Sequence, residues 1–214
     1  MKFENTKVFN FEGAFRGMRN PLNSWDRSDS WMAGNEYRIG PNDLNLAQRL
    51  IAGGPPHRKF LRQIFVSVDI TAGIFWWKEA DTYKVGTVAN STSTMHKLAS
   101  TPITMDCFET DDYNPEIVDV SGFIELLEDM RVAYNQTKDK RIWKELIRWL
   151  PESWLQTRTL TLNYEVIRTM VYWRKGHKLS EWKQFIDWAH TLPYAEELIF
   201  YGLEAEESKE AGTN

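Results

Sequence analysis

Residues Gln63–Gly73, QIFVSVDITAG, decide the fold class. Ile64, Val66, Val68 and Ile70 recur at every second position, so they share one face of a strand. Directly after it, Ile74–Val85 (IFWWKEADTYKV) changes to helical spacing. Asn90, Ser91, Thr92, Ser93 and Thr94 then crowd together before Met95–Leu98. Hydroxyls placed there can cap a helix running through Met95–Leu98, and free N–H groups at a helix start favour an anion. Lys78 and Lys84 stand beside this segment with charge, and Trp76, Trp77 and Tyr83 offer flat faces on which a nucleobase or flavin ring could stack. A capped helix carrying a half-buried aromatic stripe gives the same pattern without any ligand, and both readings stand at this point.

Working outward, Thr6–Phe15 (TKVFNFEGAF) alternates as a strand, and Arg19–Tyr37 has the Pro, Gly, Asn, Asp and Ser density of a loop. Leu44–Gly54 (LNLAQRLIAGG) spaces its leucines as a helix that ends at a glycine pair. Asn114–Lys140 reads as one long amphipathic helix, Arg141–Leu150 as another closed by Pro151, and Leu160–Gly176 and Ser180–Leu192 as two more. Several helices around a small antiparallel sheet predict an α+β class. No composition shift marks a boundary, so one domain is expected over 1–202, followed by an acidic, flexible tail over 203–214.

Twenty-six basic residues nearly offset thirty acidic ones, and a net charge of −4 gives no general attraction to nucleic acid or anionic membrane. The single cysteine, Cys107, allows no intrachain disulfide and fits a reducing compartment. The opening MKFENTKVFNFEG lacks the apolar core of a secretion signal, which predicts a cytoplasmic protein with no membrane association. Ten tryptophans favour an oligomer, because large aromatics dominate interfaces as well as cores.

The four histidines are scattered and none has a His or Cys partner at ligand spacing, so no metal site is expected. Cys107 lies in TMDCFETDD, whose acidic neighbours disfavour a thiolate. Walker, GxGxxG and GxSxG motifs are absent. No catalytic residue is assigned.

The segment Gly53–His96, from GGPPHRKF through IFVSVDITAG and IFWWKEADTYK to NSTSTMH, resembles the central segment of the flavin-dependent thymidylate synthases. Arg148–Phe185, RWLPESWLQTRTLTLNYEVIRTMVYWRKGHKLSEWKQF, is similar to that family's later half. The resemblance implies a thymidylate synthase-like fold, tetrameric assembly with sites between subunits, and ligand-binding roles for His57, Lys78, Tyr83, Lys84, Asn90, Ser91, Ser93, Arg148, Asn163 and Arg174. The departures fall on charge. The family's Arg-Gln becomes Lys78-Glu79, its Arg-His-Arg becomes Thr82-Tyr83-Lys84, and the Arg after its motif Ser becomes Met95. Those arginines hold flavin and dUMP phosphate in the family, and neither Thr nor Met can replace a guanidinium.

The strings DTYKVGT and WKELIRWLPESWLQTRT also resemble small proteins carried by bacteriophages and prophages. Two functions follow from these resemblances. One is a non-catalytic, phage-type nucleotide binder that sequesters a nucleotide-derived host immune signal, ADP-ribose-type or cyclic, with no cofactor. The other is a flavin-dependent thymidylate synthase, or a related pyrimidine-nucleotide methylating enzyme, using FAD and dUMP. A structural accessory with an empty pocket is the third possibility. The expected partners are a small nucleotide ligand and further copies of the chain in a homotetramer.

Overall fold

The computed structural model describes residues 1–203, so the tail expected over 203–214 lies, apart from Leu203, outside the described residues. In chain order the elements are β1 (Lys2–Phe9), α1 (Phe11–Met18), β2 (Trp31–Ala33), β3 (Glu36–Arg38), α2 (Pro41–Ala52), β4 (Phe65–Gly73), α3 (Ile74–Ala80), β5 (Val88–Ser91), α4 (Thr94–Lys97), α5 (Ser121–Thr137), α6 (Lys140–Trp149), β6 (Leu155–Asn163), α7 (Tyr164–Arg174) and α8 (Ser180–His190). The main sheet has strand order β1-β4-β6-β5, and β2 pairs with β3 in a separate antiparallel ribbon. The α+β class with a small antiparallel sheet is as expected. Among the described residues no helix is long and apolar enough to cross a membrane.

Two compact units make up the described chain. One comprises Met1–Glu4, Asp69–Thr82 and Ala89–Thr159; the other comprises Asn5–Val68, Tyr83–Val88 and the chain from Leu160 onward. The first, called the α5–α6 unit below, is built on Leu98, Ile103, Phe108, Leu127 and Leu146. The second, the α7–α8 unit, buries Phe11, Phe15, Phe60, Ile167, Trp182 and Phe185, among others. The apolar face expected for β4 is buried, since Val66, Val68 and Ile70, with Ile64 just before the strand, are completely shielded.

Four elements differ from their sequence reading, each for a local reason. β1 ends at Phe9 because Asn10 takes a left-handed conformation (φ 70°), which Asn tolerates, and turns the chain into α1. Leu160–Asn163 is strand, and the helix starts only at Tyr164, where the Asn163 side chain accepts the Val166 N–H at 3.0 Å. α5 begins at Ser121 rather than near Asn114. α3 stops at Ala80, and Thr82 Oγ1 donates to the Glu79 carbonyl just past its end at 2.7 Å. The loop-like region also hides the β2–β3 ribbon, in which Ala33 pairs with Glu36 around Gly34 (φ 64°) and Asn35.

Asp43, fully buried on α2, organises this part of the α7–α8 unit. Its carboxylate accepts from Arg19 Nε at 2.5 Å, Ser28 Oγ at 2.7 Å and Ser30 Oγ at 2.6 Å. Asp29 in turn accepts the Asn42 and Asp43 N–H groups at 2.9 and 3.0 Å, capping α2 from outside. A Cβ on Gly40 would lie 2.3 Å from Asp29, so this approach requires glycine. Burial alone would raise the Asp43 pKa, but the bonds from Ser30, Ser28 and Arg19 outweigh it and hold the carboxyl below its usual range. A depressed folded pKa contributes stability above the unfolded value of about 4, which is lost as pH falls through the folded value. Asp43→Ala leaves Arg19 buried without its counter-charge and is expected to cost about 3–5 kcal/mol in urea unfolding. Asp43→Asn should flatten the acid limb of the stability curve, and an unchanged acid limb would show that another group carries it.

Candidate functional site

Within the α5–α6 unit, α3 leaves β4 at Gly73, and its first N–H groups are taken up by the 152–154 segment. Ile74 N donates to Trp154 O and Phe75 N to Glu152 O, both at 3.1 Å. This seats Trp76 and Trp77 inward, 0 % and 1 % exposed, with their rings edge-on at 4.9 Å. The indole of Trp77 donates to Gln156 O at 2.9 Å, and the Arg158 guanidinium lies 4.3 Å over its ring. Arg158 also pairs with Asp81 at 2.8 Å. The two tryptophans are therefore core, not the open stacking faces that the sequence suggested. Lys78 points outward and pairs with Glu152, both more than half exposed, a contact worth at most about 1 kcal/mol.

The hydroxyl-rich segment divides between two elements. Asn90 and Ser91 are exposed on β5, so Asn90 does not stand at a helix start. Ser93 does: its Oγ accepts the His96 N–H at 3.2 Å and shares a 2.7 Å hydrogen bond with His96 Nδ1. The helix it caps, α4, is only four residues long. A cavity of about 380 Å³ collects Thr92, Ser93, Thr94 and Lys97, with Lys2 and Thr157 on other walls. Arg148 is exposed on α6, paired with Glu145, and does not line it. Lys2, Lys97 and Thr157 were missed from sequence, because strand neighbours and the residue one turn beyond a cap are visible only once the sheet is known.

Within the α7–α8 unit, Tyr83, Lys84, Asn163, Arg174 and His57 occupy separate positions. The Tyr83 hydroxyl accepts from Arg174 Nε at 3.0 Å. The guanidinium lies 4.7 Å over the Trp182 ring and 5.4 Å over that of Tyr83. Tyr83 and Trp182 meet edge-on at 6.2 Å, so an arginine sits against two rings that themselves touch. Trp182 was not anticipated as part of this cluster, although its position in SEWKQF, just after Gly176, places it on the next helix. Lys84 is exposed on the turn after Tyr83, and His57 is exposed after α2, its ring facing Gly53. Asn163 and Arg174 stand at opposite ends of α7, roughly 16 Å apart at the helical rise. Asn163 packs beneath Gly86, whose φ of 79° suits glycine and whose absent Cβ would come 2.9 Å from Asn163 Nδ2.

The arrangement can offer hydroxyls, the ammonium groups of Lys2 and Lys97 and the carboxylates of Glu4 and Asp106 in the α5–α6 unit, and a permanently charged, ring-backed guanidinium in the α7–α8 unit. Among the described residues no group of three or more His, Cys, Asp or Glu side chains could hold a metal ion.

The fold that these elements build is that of the flavin-dependent thymidylate synthases. A structure of the Helicobacter pylori enzyme complexed with FAD and dUMP matches with a TM-score of 0.71 at 16 % identity, covering 94 % of this chain and 98 % of that one. A second structure of that enzyme with FAD and dUMP gives the same TM-score at 18 % identity, over 95 % and 99 %. At the level of sequence, no protein-family profile and no curated protein matches the chain. The likeness to this family read from the motifs around Gly53–His96 holds for the fold.

Asn163→Ala is expected to cost about 1 kcal/mol through the lost cap of α7. Gly86→Ala should cost more in the wild type than in Asn163→Ala, because the shorter side chain removes the clash and leaves only the backbone strain. A double-mutant cycle by chemical denaturation measures this coupling, and strictly additive losses would place Gly86 and Asn163 out of contact.

Proposed function

We propose that the protein binds a nucleotide-derived ligand and holds it without chemical turnover. The fold likeness to an enzyme solved with FAD and dUMP supports a nucleotide-type ligand. The observation that carries the non-catalytic reading lies at Thr82–Lys84, where the resembled synthases have Arg-His-Arg. Thr82 turns its hydroxyl to the Glu79 carbonyl, and Tyr83 turns its hydroxyl to Arg174. Lys84 is left as a single exposed ammonium, a point charge without the two-pronged geometry of a guanidinium. The residues at these positions do not fit a flavin diphosphate, and the proposed function involves no flavin. Sequestration needs tight, preorganised contacts and no turnover, so the loss of catalytic arginines is compatible with it.

The ligand class proposed is a nucleotide-derived immune signal of a bacterial host, ADP-ribose-type or cyclic, held by a cytoplasmic phage-type protein that thereby inhibits antiphage defence. The assembly proposed is a homotetramer. A flavin-dependent thymidylate synthase, or a methylating enzyme for another pyrimidine nucleotide, is the second reading, favoured by a fold match that spans nearly the whole chain.

Mass spectrometry of small molecules released from protein purified out of its host separates the two. A bound nucleotide without flavin is the expected result. An absorbance band near about 450 nm that survives gel filtration, together with dUMP-dependent NADPH oxidation, would restore the synthase. With the released ligand in hand, Arg174→Ala is expected to lose roughly 2–4 kcal/mol of affinity by calorimetry, the value of a charge-assisted contact in a partly dry site. Exposed Lys175, changed to Ala, should lose almost nothing. Equal losses would move the ligand away from the Tyr83–Arg174–Trp182 cluster, and a monomer by light scattering would remove the tetramer.

A further inference from the structure

A second cavity, of about 850 Å³, lies within the α7–α8 unit and includes none of the residues expected from sequence to bind ligand. Its size is within the roughly 300–1,000 Å³ of small-molecule sites. Three segments distant in sequence converge on it: the β1–α1 junction, the β2–β3 ribbon and the turn after α8. We infer that this cleft is a binding site for an uncharged nucleoside. The inference does not rest on the sequestration reading.

The shape of the cleft is held by specific contacts. Tyr194 has φ 55°, uncommon for a bulky side chain. Its hydroxyl donates to Tyr37 O at 3.2 Å and accepts the Ile39 N–H at 3.1 Å, tying the turn after α8 to the ribbon. On the facing wall, Asn10 has φ 70° and donates from Nδ2 to Gln63 O at 2.9 Å. A Cβ on Gly13 would come within 2.2 Å of Asn10 Oδ1, so the wall closes on a glycine there. Two of the non-glycine residues with positive φ thus line one cleft, and the fold keeps both.

The lining matches a nucleoside in three respects. Phe11 is buried against Tyr37, parallel at 6.2 Å, and against Tyr194, edge-on at 5.7 Å, so the half-buried rings of Tyr37 and Tyr194 are the aromatic surfaces of the lining. Such aromatic surfaces stack heterocycles of any sequence identity. Glu12 places a carboxylate on the same lining, the acceptor type that takes the paired hydroxyls of a ribose, while Glu36 is held by Arg38. Asn35 adds an amide that can both donate to and accept from a base edge.

Charge selects against phosphate. Glu12 and Glu36 balance Arg16 and Arg38, so the lining has no net positive charge. Arg38 is paired with Glu36, and the Arg16 guanidinium lies 5.8 Å over the Trp25 ring. A phosphate entering here would meet Glu12 and have to draw an arginine from an existing contact. A nucleoside meets no such opposition.

The test is calorimetry and saturation-transfer NMR on the full chain with adenosine, guanosine, cytidine and uridine, each beside its 5′-monophosphate. At least one nucleoside is expected to bind saturably and more tightly than its monophosphate. Met32→Trp, a half-exposed ribbon position on the lining, should fill the cleft and weaken binding by about tenfold or more. Glu12→Gln, an exposed change that keeps the side-chain size, should weaken binding severalfold through the ribose contact, so the proposal stays testable if the larger substitution disturbs folding. No saturable nucleoside binding at millimolar concentration, tighter binding of every monophosphate, or wild-type affinity in both variants would each overturn the assignment.

Discussion

The dry face of β4 leaves that strand a single register. Ile64, Val66, Val68 and Ile70 are fully shielded from solvent, and a slip of one residue would turn Phe65, Ser67 and Asp69 inward in their place. Burying Ser67 and an unpaired Asp69 carboxylate would cost far more than the apolar contacts regained. With the register fixed, the polar edge of the strand also has fixed partners. Asp69 accepts from Thr159 Oγ1 at 2.5 Å, and Thr71 shares a 2.7 Å hydrogen bond with Thr157. Ile64 O accepts the Tyr164 N–H at 3.1 Å, which sets where α7 begins. The positions of Asn163 and Arg174 therefore follow from the strand, since one residue precedes that start and the other closes the same helix.

Charged side chains divide into two populations. Buried ones are paired and serve the scaffold: Arg19 with Asp43, and Arg58 with Glu165, whose two oxygens each lie 3.0 Å from Arg58 Nε. Glu165 stands in the first turn of α7, where the helix field also favours a carboxylate. Because Arg58 is anchored there, the preceding residue, His57, is placed by a contact it does not itself make. Exposed pairs such as Lys78–Glu152 and Arg148–Glu145 sit in high dielectric and exchange partners at little cost. Breaking such an exposed pair leaves both groups in water, whereas drawing Arg19 or Arg58 away would strand a buried carboxylate.

Periodicity made some of the fold legible. β4, α2, α6 and α8 all lie where the apolar spacing put them, because each pattern is long and has a clear stop. Leu160–Asn163 misled because LTLN alternates over only four residues and runs directly into a helical pattern, so a window spanning both reads as one helix. The β2–β3 ribbon carried its signal in Gly34-Asn35, a two-residue hairpin turn, but the strands on either side have only three residues each. At the candidate site, Ser93 was legible as a cap because that role is local. The burial of both Trp76 and Trp77 was not, since adjacent helical positions diverge by about 100° and only tertiary packing can cover both.

The two ends of α7 are fixed by different contacts. At the start, Asn163 Oδ1 is committed to the Val166 N–H, and Gly86 closes against its Nδ2. At the end, the Arg174 guanidinium lies over Trp182 and Tyr83 with Nε directed to the Tyr83 hydroxyl. Stacking on rings fixes the plane of a guanidinium. An arginine held in this way has lost much of its rotamer freedom before any ligand arrives, so less entropy is lost when one binds. The Tyr83 hydroxyl thus gives the neighbouring cation an orienting contact. The end of α7 therefore carries a charge whose plane is set by its ring contacts, whereas its start is closed by a side-chain cap.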